Sequence, residues 1–266
     1  MSEFNKTSLT ALCADICSCM NVEPPKEAEP SLGKLKELCG GKVCDRIVMY
    51  NPDAQAQWLV EKYPEIFRPV TERASLAYPM AAVMPSVTPV CFATMYTGAY
   101  PEKHGIQKYE KPVLKIDTIF DAMIRAGKKC AIVAMERCSI AEIFLEREEV
   151  DYYILPSAKD CNEKVVLKGL ELIREDKYDF LVIYNGAYDS MMHATYPEAP
   201  EAMEWLVHHA GAYARIYDTV KEAYKGHTTL VGYATDHGVH TNEAGRGTHG
   251  ANIPEDINIT HFYDVI

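Results

Sequence analysis

Short apolar runs alternate along the chain with stretches in which apolar residues recur at helical spacing. The runs cover residues 46–50, 130–135, 152–155, 180–184 and 229–234. Brief runs with few polar interruptions are typical of strands that are covered on both faces. The helical patterns cover residues 53–62, 116–126, 162–174 and 200–224. This alternation predicts an α/β fold, a three-layer α/β/α sandwich with a mostly parallel central sheet.

The N-terminal part of the chain follows a different pattern. Residues 21–32 are polar and rich in proline, which is typical of a connection between elements. We therefore expect residues 1–32 to form an N-terminal helix with a Pro-rich connection. Residues 33–266 would then form a single domain.

Composition bears on which partners the protein binds and on where in the cell it is found. The 266 residues carry a formal net charge of −11, which argues against a protein that binds nucleic-acid duplexes through a basic face. No apolar run is long enough to span a bilayer, and the N-terminus lacks the pattern of a secretory signal. Nine cysteines, an odd number, favour reduced thiols over a disulfide framework. We expect a cytoplasmic protein with no membrane association.

Several polar residues could carry chemistry. Asp189 and His193 are four residues apart, so on a helix they share one face and could hold one cation. Asp236 and His237 follow an apolar run, and His249 lies between glycines. Taken singly, each has an ordinary reading as an exposed ion pair, a turn or a loop histidine.

The positions of these residues relative to the predicted strands strengthen the case. Asn51, Asp189 and Asp236 each follow a different predicted strand. Ligands in open α/β sheets bind beyond the carboxyl ends of the strands, so we expect these side chains to converge. Thr88 begins a predicted helix that runs through Met95, where backbone N–H groups favour a phosphate; its ordinary reading is a helix cap.

These segments resemble a known family. Residues 85–106 read PSVTPVCFATMYTGAYPEKHGI, in which Thr88 precedes the Thr97-Gly98 pair by nine residues. The segment is similar to the nucleophile segment of the alkaline phosphatase superfamily, in its type I phosphodiesterase/nucleotide pyrophosphatase branch. Asp189-x-x-x-His193, the Asp236-His237-Gly238 run and His249-Gly250 resemble the remaining motifs of that branch.

The resemblance implies an alkaline phosphatase-like fold, here with little room for a cap domain, and a metal-dependent phosphoric ester hydrolase. A metal-bound threonine, Thr88, would be the nucleophile. Two divalent ions, zinc or alternatively manganese, would be present, and the substrate would be a small-molecule phosphate ester or nucleotide. The implied ligands of the first ion are Asp189, His193 and His249. Those of the second are Asp236, His237, the Thr88 hydroxyl and the residue after the first strand.

The chain departs from the family pattern at that last position. Asn51 stands where the branch has an aspartate; its amide oxygen could coordinate without charge, or Asp53 could take its place. Cys91 stands where the branch has an asparagine. These departures leave open a non-catalytic member that binds a metal or nucleotide. A phosphonate hydrolase or phosphate mutase would share the same site.

Substrate contacts lie in loops that carry no recognisable motif. Our candidates are Tyr109, His240 and Arg246, each of which could equally be an ordinary loop residue.

Overall fold

Seven strands form the central sheet, in a computed structural model that describes residues 3–266. With a separate two-stranded pair, the described residues hold nine strands: β1 (Arg46–Pro52), β2 (Leu76–Ala81), β3 (Cys130–Met135), β4 (Val150–Leu155), β5 (Phe180–Asn185), β6 (Thr229–Tyr233), β7 (His240–Thr241), β8 (Gly247–Thr248) and β9 (Asn258–Val265). The sheet order is β2-β9-β6-β1-β5-β3-β4, and β7 pairs with β8 separately.

Twelve helices are present within the described residues, most of them packed on the two faces of the sheet. They are α1 (Ala11–Cys19), α2 (Lys34–Leu38), α3 (Gln57–Lys62), α4 (Pro64–Thr71), α5 (Thr88–Thr97), α6 (Pro101–His104), α7 (Ile119–Arg125), α8 (Ser139–Ile143), α9 (Cys161–Glu175), α10 (Ala187–Ala194), α11 (Pro200–Ala223) and α12 (Pro254–Ile257).

The five strands expected from the apolar runs are confirmed as β1, β3, β4, β5 and β6. They run parallel, with β1 between β5 and β6, so their carboxyl ends share one edge of the sheet. The three-layer, mostly parallel architecture is therefore confirmed.

Two antiparallel strands at one end of the sheet, β2 and β9, were not predicted. Strand β2 contains Pro79, which ordinarily argues against a strand unless it lies near an edge. Strand β9 buries polar residues, including Asn258 and His261, so it does not read as an apolar run. Tertiary partners for these polar groups, rather than local pattern, decide both strands.

The helix predicted over residues 53–62 begins only at Gln57, so this prediction was wrong in its first turn. The N–H groups of Ala54 and Gln55 donate to the Asp236 carboxylate and the Thr235 hydroxyl instead of forming helical bonds, and Ala54 adopts a positive φ of 63°. Asp53 therefore sits in a turn directly beyond β1. The other three predicted helices are confirmed as α7, α9 and α11.

The hydrophobic core has one cluster on each face of the sheet. Helix α1 is almost wholly buried in the first cluster, where it contacts α5 and α7. The division of the chain at residue 32 stays a prediction. Among residues 3–266, no helix combines the length and apolar character needed to cross a bilayer.

Candidate metal centre and nucleophile

Six potential metal ligands gather beyond the carboxyl ends of β1, β5 and β6. They form two groups of three residues, and within each group the ligand atoms lie within 4.8 Å of one another. The inner group consists of Asp53, Asp236 and His237. The outer group consists of Asp189, His193 and His249. The five aspartates and histidines that the family resemblance implies as metal ligands do lie together, joined by Asp53.

The outer group is built around one carboxylate oxygen. Asp189 Oδ1 lies 3.3 Å from His193 Nε2 and 3.4 Å from His249 Nε2, and the two Nε2 atoms are 3.0 Å apart. Helix α10 places Asp189 and His193 one turn apart on the same face, as the spacing predicts. Three donor atoms this close can share one cation.

The inner group is built around one imidazole nitrogen. His237 Nε2 lies 3.3 Å from Asp236 Oδ2 and 3.5 Å from Asp53 Oδ1. The Thr88 hydroxyl oxygen, at the N-terminal end of α5, lies 3.3 Å from the same nitrogen. The hydroxyl predicted to be nucleophilic therefore faces the inner group.

All three histidines are oriented in the same way. Their Nδ1 atoms lie 2.9–3.1 Å from backbone carbonyl oxygens, and these carbonyls belong to Gly247, Gly238 and Ser86. Donation from Nδ1–H leaves each Nε2 with its lone pair free. Metal-binding histidines in proteins are typically held by this kind of hydrogen bond.

The two groups form one continuous centre, because the rings of His237 and His249 stack with centroids 3.9 Å apart. Three buried carboxylate oxygens have no hydrogen-bond donor: Asp53 Oδ1, Asp236 Oδ2 and Asp189 Oδ1. Buried carboxylate oxygens are normally paired, and all three point into the two groups. The donor set therefore fits divalent cations.

The pKa shifts of the inner group also indicate a site for a cation. Burial, reinforced by nearby carboxylates, raises the pKa of Asp53 well above its usual range and that of Asp236 to about 7. Burial lowers the pKa of His237, which favours the neutral imidazole. Two adjacent buried carboxylates without a counter-charge repel one another, and a cation would remove that cost.

In the outer group, two imidazoles already stabilise the negative charge of the single carboxylate. Burial opposes ionisation of Asp189, but the pKa of Asp189 is lowered, because the neighbouring imidazoles of His193 and His249 outweigh the effect of burial. The neighbouring Asp189 carboxylate raises the pKa of His193 in turn.

The structure does not bring Asn51 into either group. Its amide oxygen accepts a 2.6 Å hydrogen bond from the Tyr96 hydroxyl, and its amide nitrogen donates to the Ala234 carbonyl at 2.6 Å. Asp53, the alternative, lies in the inner group, where its other oxygen accepts from the Tyr184 hydroxyl. Asn51 thus has the contacts of a core amide.

Cys91 also lies outside both groups. Its buried thiol faces the Val83 carbonyl at 3.8 Å, and burial raises its pKa well above the usual range.

Two glycines near the centre are required by close packing. A Cβ at Gly238 would lie 2.1 Å from the Glu255 carbonyl oxygen, and one at Gly247 would lie 2.3 Å from the Met192 carbonyl oxygen. Gly247 therefore brings the loop that carries His249 against the end of α10.

A cleft of about 150 Å³ opens onto both groups, and Thr88, Asp53 and Asp189 lie in its wall. Tyr109, a predicted substrate contact, lines the same cleft and is 63% exposed. The two other predicted contacts do not line it: His240 bonds to Asp256, and Arg246 is exposed in a turn closed by Asn242.

Sequence reasoning missed several residues of this region, and three of them bear on its chemistry. Tyr184 holds Asp53, while Lys111 and Arg137 line the cleft. Only Tyr184 carried a signal, since it ends a predicted strand at the functional edge of the sheet. Lys111 and Arg137 lie in connections that no motif marks.

The sequence profile of the type I phosphodiesterase/nucleotide pyrophosphatase family matches residues 50–262. The chain belongs to this family. The match includes all six residues of the two groups and Thr88. A search of curated proteins finds no significant match.

Solved structures with the same fold include enzymes of several kinds. Phosphonoacetate hydrolase from Sinorhizobium meliloti 1021, in complex with phosphonoacetate, aligns with a TM-score of 0.57 and 17% identity over 76% of this chain and 58% of that chain. An inactive variant of murine ectonucleotide pyrophosphatase/phosphodiesterase 5, in complex with AMP, aligns with a TM-score of 0.61 and 16% identity over 75% of this chain and 59% of that chain.

A third structure, BT1596, a 2-O GAG sulfatase, aligns with a TM-score of 0.58 and 11% identity, covering 83% of this chain and 64% of that chain. At these identities the likeness establishes the alkaline phosphatase-like fold. The chain spans less than two thirds of the length of each of these three structures.

Proposed function

We propose that the protein is a metal-dependent phosphoric ester hydrolase in which Thr88 is the nucleophile. The observation that carries this proposal is the arrangement of three buried, unpartnered carboxylate oxygens and three Nε2 atoms beside the Thr88 hydroxyl. Membership of the phosphodiesterase family supports it.

Two cations would be held by this chain, one by the inner group and one by the outer group. Mixed imidazole and carboxylate ligands suit zinc, with manganese as the alternative. When bound, such ions act as Lewis acids that lower the pKa of a hydroxyl and stabilise negative charge on phosphoryl oxygens. Asp53, rather than Asn51, gives the inner group its second carboxylate, which removes the main reason to favour a non-catalytic protein.

The chain itself would position the reaction. Thr88 is the first residue of α5, so its oxygen stands at the positive end of a ten-residue helix, where an anionic phosphoryl group is favoured. The Thr88 oxygen would attack phosphorus, the ester oxygen would leave on the opposite side, and water would then hydrolyse the phosphothreonine.

The substrate would be a small-molecule phosphate ester or nucleotide that carries additional negative charge. Lys111 and Arg137 line the cleft and outnumber its one glutamate, Glu136. Within residues 3–266 neither cation forms an ion pair with a carboxylate, although the protein carries a net charge of −11. The exposed Tyr109 ring, with the Lys111 ammonium 5.5 Å from its centroid, offers a surface for stacking. The AMP and phosphonoacetate held by the two structural neighbours are ligands of that general kind.

The test compares the wild type with Thr88→Ala and Thr88→Ser. Each protein, loaded with zinc or manganese, is assayed with a chromogenic phosphodiester, a nucleotide pyrophosphate, a phosphomonoester and phosphonoacetate. We expect Thr88→Ala to reduce turnover by on the order of 10³ or more, and Thr88→Ser to keep partial activity because the oxygen is retained. Metal content by mass spectrometry should show two equivalents in the wild type.

Thr94→Ala is the matched control, because Thr94 lies on the same helix and its hydroxyl contacts His104 outside the centre. Its activity should stay close to that of the wild type. Undiminished activity of Thr88→Ala would show that water attacks directly. A wild type that binds two metal equivalents but hydrolyses none of these esters would contradict the proposed activity.

A further inference from the structure

Three buried thiols meet in a part of the chain that precedes the family match. Cys19 ends α1, Cys39 directly follows α2, and Cys44 lies two residues before β1. The sulfur atoms of Cys39 and Cys44 are 3.4 Å apart, and the Cys44 N–H donates to the Cys19 carbonyl at 2.8 Å. The candidate hydrolase centre uses none of these residues.

The thiols are chemically unequal. Hydrogen bonds from the Cys19 and Cys44 thiols lower the pKa of Cys39, against the opposing effect of burial. A thiolate is the form of cysteine that reacts with peroxides, and a neighbouring thiol can then resolve the product. Cys39 can therefore act as the reactive thiolate, and Cys44, in contact with it, can act as the resolving thiol.

Only a short exposed loop separates the two cysteines from solvent. Residues 40–43 are exposed and connect the two cysteines directly. Gly40 and Gly41 have φ angles of +59° and +80°, and no atom lies within 4 Å of the place where either would carry a Cβ. A disulfide needs a sulfur separation of roughly 2.0 Å, so the pair must close by a little over 1 Å. A loop with two unobstructed glycines can absorb that movement and admit a small oxidant.

We propose that Cys39 and Cys44 form a redox-active dithiol that hydroperoxides convert to a disulfide. The Cys39 thiolate attacks one peroxide oxygen, the O–O bond breaks, and Cys39 sulfenic acid and hydroxide form. The Cys44 sulfur then attacks the sulfenic sulfur, and the displaced hydroxyl leaves with the Cys44 proton as water. Two thiols lose two electrons in all, and the peroxide accepts them.

The sequence allows a direct test by peptide mapping. Trypsin cleaves after Lys36, Lys42 and Arg46, so Cys39 and Cys44 fall in separate peptides, 37–42 and 43–46. The reduced full-length protein is treated with one equivalent of hydrogen peroxide, alkylated, digested without reductant and analysed by mass spectrometry. We expect the two peptides to appear linked, and titration of the denatured protein to show a loss of two of the nine thiols.

Single substitutions separate the roles. Cys39→Ser and Cys44→Ser should each abolish the linked pair, and Cys19→Ser should retain it. In the double variant Cys19→Ser/Cys44→Ser, dimedone should label Cys39, because the sulfenic acid then has no neighbouring thiol to resolve it. The proposal is overturned if peptide 37–42 or 43–46 links instead to peptide 7–26, which carries Cys19. It is equally overturned if the wild type forms no disulfide, or if dimedone leaves Cys39 of the double variant Cys19→Ser/Cys44→Ser unlabelled.

Discussion

The inner and outer groups perform the same kind of coordination in different surroundings. The side chains of Asp53, Asp236 and His237 are at most 1% exposed. Those of Asp189, His193 and His249 are 18%, 42% and 6% exposed. The inner group combines two carboxylates with one imidazole, and the outer group combines one carboxylate with two imidazoles.

The difference shows how burial and charge are matched. Burial removes the water that would stabilise the inner carboxylates, so it raises the pKa of both. A bound cation would stabilise their charged forms instead. The outer carboxylate lies 3.3–3.4 Å from two imidazole nitrogens, and these imidazoles lower its pKa despite burial. We infer that the inner group binds its metal more tightly, and that the outer group exchanges metal more readily with solvent.

Asp53→Asn is the strongest test of the difference between the two groups. The amide retains an oxygen for the Tyr184 hydroxyl but removes one negative charge from the inner group. We expect the loss of one metal equivalent and a decrease in hydrolysis of about 100-fold or more, because the metal next to Thr88 is lost. Metal analysis and steady-state kinetics measure both effects. A variant that retains two equivalents would exclude Asp53 as a ligand.

Asn51→Asp is the reciprocal change, and we expect the opposite pattern. A carboxylate there would face the Ala234 carbonyl, which now accepts from the Asn51 amide nitrogen. A lost buried donor costs about 1–3 kcal/mol, so the free energy of unfolding should fall by that amount. Metal stoichiometry should stay unchanged. Urea unfolding of the metal-free proteins measures the first effect, and tighter metal binding by the variant would instead identify Asn51 as a ligand position.

Chelator stripping sharpens the comparison between the two groups. We expect two phases of metal release from the wild type, with the faster phase from the exposed outer group, about tenfold faster than the other. His193→Ala should remove the fast phase and leave the slow one. A zinc-responsive dye in a stopped-flow instrument follows the release. Loss of only the fast phase in His237→Ala would reverse our assignment.

The smallest effect is expected at the rim of the cleft. Lys111→Ala and Arg137→Ala should each raise KM for a substrate with a second anionic group by about 3–10-fold, with little change in kcat, because neither residue contacts the inner or outer group. Lys115→Ala is the control, since Lys115 is exposed and pairs with Glu146 away from the cleft. An equal effect of all three substitutions would indicate a general loss of positive charge.

The sequence alone determined the parallel strands, the long helices and the family. Apolar runs report burial on both faces, and that signal is local. The spacing of Asp189 and His193 and the segment around Thr88 were equally readable, because a helix or a helix start translates sequence distance directly into geometry.

Only the tertiary structure decided the remainder. The choice between Asn51 and Asp53 depended on whether Tyr96 and Ala234 engage the amide and on whether the chain after β1 turns before its helix begins. Strands β2 and β9, the Lys111 and Arg137 rim and the contact between Cys39 and Cys44 also rest on such partners. A hydrogen bond or side-chain contact between distant segments leaves no periodicity in either one, so it can be read only once the chain has folded.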